Sequence, residues 1–153
     1  MVDIRPAADD GDALAAARIM AENEPWITLG RTFERCLATL HDTTLERFVA
    51  IENGEVVGFV LISMQGTFVG YIKSLAVRED RRSNGLGARL MAAAEERIFR
   101  ESPNAFICVS SFNPRALAFY ERLGYEVVGT LREFMIRGHD EILLRKTIGP
   151  LSG

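Results

Sequence analysis

Apolar positions along this chain recur with two periods, and the switches between them mark out its elements. Phe33, Cys36, Leu37 and Leu40 stand at i, i+3, i+4 and i+7, the spacing of a helix with one buried face. Leu86, Leu90, Met91, Ala94 and Ile98 carry the same stripe along a longer helix. Apolar runs of strand length at 47–52 and 55–64 flank Asn53-Gly54, and an Asn-Gly pair between such runs is the strongest short hairpin signal. A Gln65-Gly66-Thr67 turn precedes another strand over 71–77. Upstream, residues 2–5 read as a short strand, Asp9 to Asp12 as acidic caps on an Ala-rich helix to about residue 21, and 22–30 as a loop. Downstream, a buried strand over 105–110 is followed by a helix over 114–123 and by strands over 125–131 and 141–145. This order predicts a single α/β domain over residues 1–153 with a mixed sheet, and no repeat, linker or low-complexity tract interrupts it.

Composition narrows the class without fixing the function. A chain of 153 residues fits one domain that buries about two thirds of its unfolded surface. Apolar content of 48% and charged content of 25% are those of a soluble globular protein. A net charge of -3 and a pI of 5.5 argue against a general nucleic-acid binder. The apolar runs fall short of a membrane span and the first residues lack the apolar core of a signal peptide, so the cytoplasm is expected. Cys36 lies on an apolar helical face and Cys108 in an apolar strand, which reads as two reduced core thiols rather than a disulfide or a metal pair.

The chemistry-bearing stretch is Arg82-Ser83-Asn84-Gly85-Leu86-Gly87, set between the 71–77 strand and the helix opening near Leu86. The first turn of a helix offers unpaired N–H groups and the positive end of the helix dipole, so the main chain itself can hold a phosphate. Gly85 and Gly87 let that main chain come close, Ala88 continues the first turn, and Arg82 and Arg89 add charge. The stretch is not a P-loop, since no Gly-Lys-Ser/Thr follows, and Leu90 stands where a dinucleotide fingerprint needs its third glycine. A second constellation lies downstream. Asn113-Pro114 follows the 105–110 strand, Tyr120 sits in the next helix, and Gly124-Tyr125 opens the next strand.

Together these resemble the two signatures of the GCN5-related N-acetyltransferases: Arg-x-x-Gly-x-Gly over 82–87, and the Asn, Tyr and Gly-aromatic set over 113–125. Family-like sequence runs from about Phe48 to Lys146. The resemblance implies a mixed, mostly antiparallel sheet with flanking helices, in which the strands around Val77 and Val109 splay apart to admit acetyl-CoA as co-substrate, with no metal. It implies that the main chain of Leu75, Ala76 and Val77 pairs with the pantetheine and that residues 82–88, Ser83, Asn84 and Leu86 included, hold the pyrophosphate. It also implies an amine acceptor as the second partner, Asn113 as a cofactor contact, Tyr120 as the acid that protonates the leaving thiolate, and homodimerisation as a common habit. Periodicity gives Tyr120 a second reading: Ala116, Phe119, Tyr120 and Leu123 form a helical stripe, so an aromatic there could equally be core. Asn113 is likewise a good N-cap before Pro114.

The chain departs from the family at the base. The family places a glutamate either in the strand before the turn, where Tyr71, Ile72, Lys73 and Ser74 stand here, or at the position of Cys108. The remaining candidates are Glu22, Glu24, Glu133, His139 and Glu141, or Tyr71 with a depressed pKa. At neutral pH about a tenth of an α-amine is deprotonated, against roughly one part in a thousand of a lysine, so a poorly supplied base suits an α-amine or another amine of low pKa. Acceptor recognition falls to residues 22–33 and 131–140, where Glu24 could attract an ammonium and Trp26 could wall its pocket or seal the core. Two alternatives stand beside the amine transferase: an acetyl-CoA sensor of the same fold, suggested by the missing acids, and a transferase of a longer acyl-CoA.

Overall fold

The computed structural model describes residues 1–153. Elements follow in the order β1 (Val2–Pro6), α1 (Asp10–Ala21), α2 (Phe33–Leu40), β2 (Leu45–Glu52), β3 (Glu55–Ser63), β4 (Tyr71–Val77), α3 (Leu86–Ile98), β5 (Asn104–Ser110), α4 (Pro114–Arg122), β6 (Glu126–Ile136) and β7 (His139–Thr147). One seven-stranded sheet has the order β1-β2-β3-β4-β5-β7-β6, antiparallel except where β4 meets β5. The β2–β3 hairpin turns at Asn53 and Gly54, both at positive φ, as the Asn-Gly pair predicts. Asp9 caps α1 by accepting from the Asp12 N–H at 2.9 Å, and Asn113 caps α4.

Two cores sandwich the sheet. On one face α1 and α2 bury Ala16, Ala17, Cys36, Leu40, Phe59 and Leu61; on the other, α3 and α4 cover Val60, Ile62, Ile72, Ile107 and Leu144. Burying the Val, Leu, Ile and Phe side chains among these contributes about 1.5–3 kcal/mol each. All five stripe residues of α3, from Leu86 to Ile98, are buried in the second core.

The register of β4 carries an irregularity with large consequences. Leu61 pairs with Ser74 but Ile62 pairs with Ile72, so Lys73 is an extra residue on β4. A bulge reverses side-chain alternation and bends the strand. Ile72 before it and Leu75 and Val77 after it therefore all lie against the α3 side, while Ala76 joins the α1/α2 core. Pairing of β4 with β5 stops at the same place: only Tyr71 with Phe106 and Ile72 with Ile107 are in register. Beyond Ile72 the two strands part. Helix α3 spans the parting, since Arg97 grips Glu46 of β2 at 2.6 and 2.8 Å while Glu95 accepts from Lys146 of β7 at 2.8 Å and from the Tyr125 hydroxyl at 2.9 Å.

Two expectations are corrected here. Strand β6 continues to Ile136 rather than stopping at 131, so the acceptor-side connection is mostly a bulged hairpin; Glu133 at positive φ bonds across it to Gly138 and Asp140. Cys108 is not a core thiol. It lies on the face of β5 opposite the core residues Ile107 and Val109, half-exposed, whereas Cys36 is buried as expected. Both are free thiols.

Gly70 holds the closed end of the parting. Its carbonyl accepts from the Phe106 N–H at 2.9 Å, its φ is +89°, and a Cβ there would fall 2.4 Å from the Asn104 carbonyl oxygen and 2.6 Å from Ile98. Gly70→Ala is expected to lower unfolding free energy by about 2–4 kcal/mol, from positive-φ strain added to overpacking, as read by denaturant titration.

Candidate active site

The parting of β4 and β5 opens a cleft of about 640 Å³ that passes from one face of the sheet to the other. On the α3/α4 side its walls include Leu75, Asn113, Ala116 and Tyr120; on the α1/α2 side they include Trp26, Tyr71, Cys108, Ser110 and Glu141. Of the sequence-predicted residues, Leu75, Asn113, Tyr120, Glu24, Trp26 and Tyr71 line this one cavity, whereas Ala76, Val77 and residues 82–88 lie outside its walls. The β4 edge at Leu75, Ala76 and Val77 faces no strand on this side, which leaves main-chain groups free for an extended ligand.

After the end of β4 a short turn over Glu79–Arg81 leads into α3. The amides of residues 83–88 have no acceptor within the chain, and the first α3 bond of this region is the Arg89 N–H to the Gly85 carbonyl at 3.1 Å. Gly85 is the N-cap at φ +77°, and Ser83 also takes a positive φ of 67°. Successive amides in such a turn form a concave anion cradle at a helix N-terminus. Arg82 is exposed beside it. Two parts of the sequence reading change. Gly87 is required by packing, because a Cβ there would meet the Phe119 ring at 3.3 Å, and Arg89 turns away to donate to the Val2 carbonyl at 3.0 Å.

Tyr120 is a core residue that also reaches the cleft. It is 6% exposed and belongs to the α3/α4 core, in edge contact with Phe119 and Tyr125, yet it also lines the cleft. Burial alone raises its pKa, and no hydrogen bond to its hydroxyl contributes. A neutral phenol with an unshared proton at the edge of a cleft is a competent acid. Asn113 is the N-cap expected of it, its Oδ1 accepting from the Ala116 N–H at 3.3 Å, and the residue also lines the cleft.

On the opposite face, Trp26 is 9% exposed, packs in the α1/α2 core and walls the cleft, so both of its readings hold. Glu24 lines the rim, its carboxylate held by the Thr28 N–H at 2.9 Å and hydroxyl at 2.7 Å. Tyr71 lies beside Cys108, and burial and the neighbouring thiol raise its pKa, which removes it as a base. Glu22 lies in a separate shallow pocket with Arg78 and Asp80, and Glu133 is committed to its hairpin. His139 stacks edge-on against Phe112 with centroids 4.9 Å apart. Of the acids weighed from the sequence, Glu141 is the one buried in the cleft. It is 5% exposed, stands directly across the β5–β7 ladder from Ser110, and burial raises its pKa above the usual carboxyl value.

Residues 11–125 match the acetyltransferase (GNAT) family, and the chain belongs to that family. An N-alpha-acetyltransferase of Sulfurisphaera tokodaii is 31% identical over 111 residues, 63% of this chain and 66% of that protein, so the match spans just under two thirds of the relative's length. The ribosomal-protein-S18-alanine N-acetyltransferase of Escherichia coli shares the fold at a TM-score of 0.78 with 22% identity, over 98% of this chain and 96% of that one. A GNAT family acetyltransferase of Elizabethkingia anophelis with acetyl-CoA bound does so at 0.75 with 19% identity, over 96% and 98%. No helix here is long and apolar enough to cross a membrane.

All three tyrosines, Tyr71, Tyr120 and Tyr125, have raised pKa values. The folded protein keeps phenol protons that the unfolded chain releases near pH 10, so stability is intact below that pH and declines above it. A phenolate absorbance titration of the native protein is expected to remain flat through about pH 10.5, with normal titration near 10 in denaturant.

Proposed function

We propose that this chain is an acetyl-CoA-dependent N-acetyltransferase that moves an acetyl group to a primary amine by direct attack on the thioester. The observation that carries the reading is the parted β4–β5 pair, with the Tyr120 phenol lining the cleft it opens and an amide-rich helix start following β4. In this reading the pyrophosphate lies on the amides of residues 83–88 beside Arg82, and the pantetheine pairs along Leu75, Ala76 and Val77 as an added strand. A main-chain N–H of that edge polarises the thioester carbonyl as the oxygen gains charge. The amine enters from the α1/α2 side past Trp26 and Tyr71. Its lone pair attacks the carbonyl carbon, the C–S bond breaks, and the sulfur takes the Tyr120 proton.

The acceptor we assign is an α-amine or another amine of low pKa. The supply argument favours it, because the family's usual strand glutamates are replaced by Tyr71 to Ser74 and by Cys108. The N-alpha-acetyltransferase activity in the name of the S. tokodaii relative, and the alanine substrate named for the E. coli structure, point the same way.

Thiol release from acetyl-CoA, measured against peptide N-termini, lysine peptides, polyamines, aminoglycosides and amino acids, tests both statements. Turnover is expected on α-amines. Tyr120→Phe, whose missing hydroxyl leaves no partner stranded, should lower kcat roughly 10²- to 10⁴-fold with acetyl-CoA binding retained. Gly85→Ala should distort the anion turn and weaken acetyl-CoA binding about tenfold or more, ~1.4 kcal/mol. Preference for ordinary lysine side chains over α-amines contradicts the acceptor assignment. Cofactor binding without thiol release from any amine contradicts the transferase.

A further inference from the structure

The family position for a basic carboxylate on β5 is Cys108 in this chain, but the cleft is not without an acid. Glu141 reaches the same space from β7, one strand further along the sheet. Ser110 and Glu141 are cross-strand partners, and Phe106, Cys108, Ser110, Glu141 and Leu143 share the face of the sheet that carries Tyr71. Both residues are more than nine-tenths buried, yet Ser110 Oγ and Glu141 Oε2 have no hydrogen-bond partner. The Ser110 hydroxyl is a close enough neighbour to temper the carboxyl's shift by hydrogen bonding, but the Ser110 Oγ and Glu141 Oε2 atoms do not meet hydrogen-bond geometry with each other or with any other group of the chain. Two buried, unsatisfied oxygens side by side are costly to a fold and require a partner. Both line the cavity between Cys108 and Tyr71, so the partner comes from the cavity.

We infer that Glu141 is the general base of the transfer, with Ser110 as the second acceptor that positions the incoming amine. The inference rests on the transferase reading above and names the residue that reading lacks. The acceptor arrives as an ammonium, donating to the Glu141 carboxylate and to Ser110 Oγ. Glu141 takes one proton and the freed lone pair forms the C–N bond. The C–S electron pair leaves on sulfur, which takes the Tyr120 proton. The second proton on the new amide nitrogen passes to solvent, as does the one held by Glu141, and solvent restores the phenol. The products are the amide, the CoA thiol and one proton. Burial raises the carboxyl's pKa toward the working range, which strengthens it as a base. The titratable and charged groups facing the cavity are Glu24, Arg31, Arg35 and Cys36 from the α1/α2 side, Tyr71 and Lys73 of β4 and Cys108 of β5, with His139 of β7 beside Glu141, while β6 presents Leu131 opposite Glu141.

The deprotonated carboxylate is the active form, so kcat/KM should rise with pH through an acidic limb displaced above the ordinary carboxyl range. Glu141→Gln should abolish that limb and lower kcat roughly 10²- to 10⁴-fold, with acetyl-CoA-induced thermal stabilisation unchanged. Because a raised folded-state pKa makes ionised Glu141 unfavourable to the fold as pH rises, Glu141→Gln should melt at or above the wild-type temperature at neutral pH. Glu141→Asp should retain the acidic limb with reduced kcat, and it decides the question if the glutamine variant does not fold. Ser110→Ala should raise the acceptor KM more than it lowers kcat. A Glu141→Gln enzyme with wild-type kcat and an unaltered pH profile overturns the assignment and leaves the transferase standing. Wild-type protein that binds acetyl-CoA but releases no thiol overturns both.

Discussion

The extra residue at Lys73 is the constraint on which the rest of the structure depends. Pairing of β4 with β5 ends at Ile72 and Ile107, and the extra residue follows immediately. The bulge re-aims β4 just where that pairing ends, leaving one edge of Leu75, Ala76 and Val77 without a strand partner. An unpaired sheet edge in a protein interior is costly unless something occupies it. Family membership and the transferase reading give it an occupant. The cleft thus opens where one inserted residue shifts the hydrogen-bond register of β4 and reverses which side chains face it.

A parted sheet also needs something to stop it falling into two halves. Helix α3 performs that task with a divided set of contacts: Arg97 to Glu46 on the β1–β4 side, and Glu95 to Lys146 and Tyr125 on the β5–β7 side. The same helix begins with amides that have no acceptor within the chain. In the proposed mode of binding, the anion site and the brace belong to one helix, so the cofactor engages the element that ties the two halves of the sheet together. The two faces of the sheet carry different cleft residues. Tyr120 stands on the α3/α4 side, and Tyr71, Ser110 and Glu141 on the α1/α2 side.

Much of this was legible in the chain because local physics decides it. The α3 stripe, the Asn53-Gly54 hairpin, the Asp9 cap and the glycine-bearing turn all follow from short-range spacing, and each lies where that spacing places it. Membership of the family followed from two motifs in register. What stayed hidden depends on register between distant strands. A single bulge at Lys73 leaves no mark on composition, and Cys108 reads as core until β5 is seen to lose its neighbour. Glu141 was one of several acids because alternation in β7 assigns it a face but not a partner. Its pairing with Ser110 and their shared lack of hydrogen bonds exist only in the folded chain.

The central claim is that the gap between β4 and β5 is a binding slot whose contacts are made mainly by backbone. Amide hydrogen exchange resolved by peptide, with and without acetyl-CoA, tests it most directly. The account predicts new protection at residues 75–77 and 83–88, with α2 and the β2–β3 hairpin unchanged. Protection confined to other segments, or none at a saturating concentration of acetyl-CoA, would contradict it.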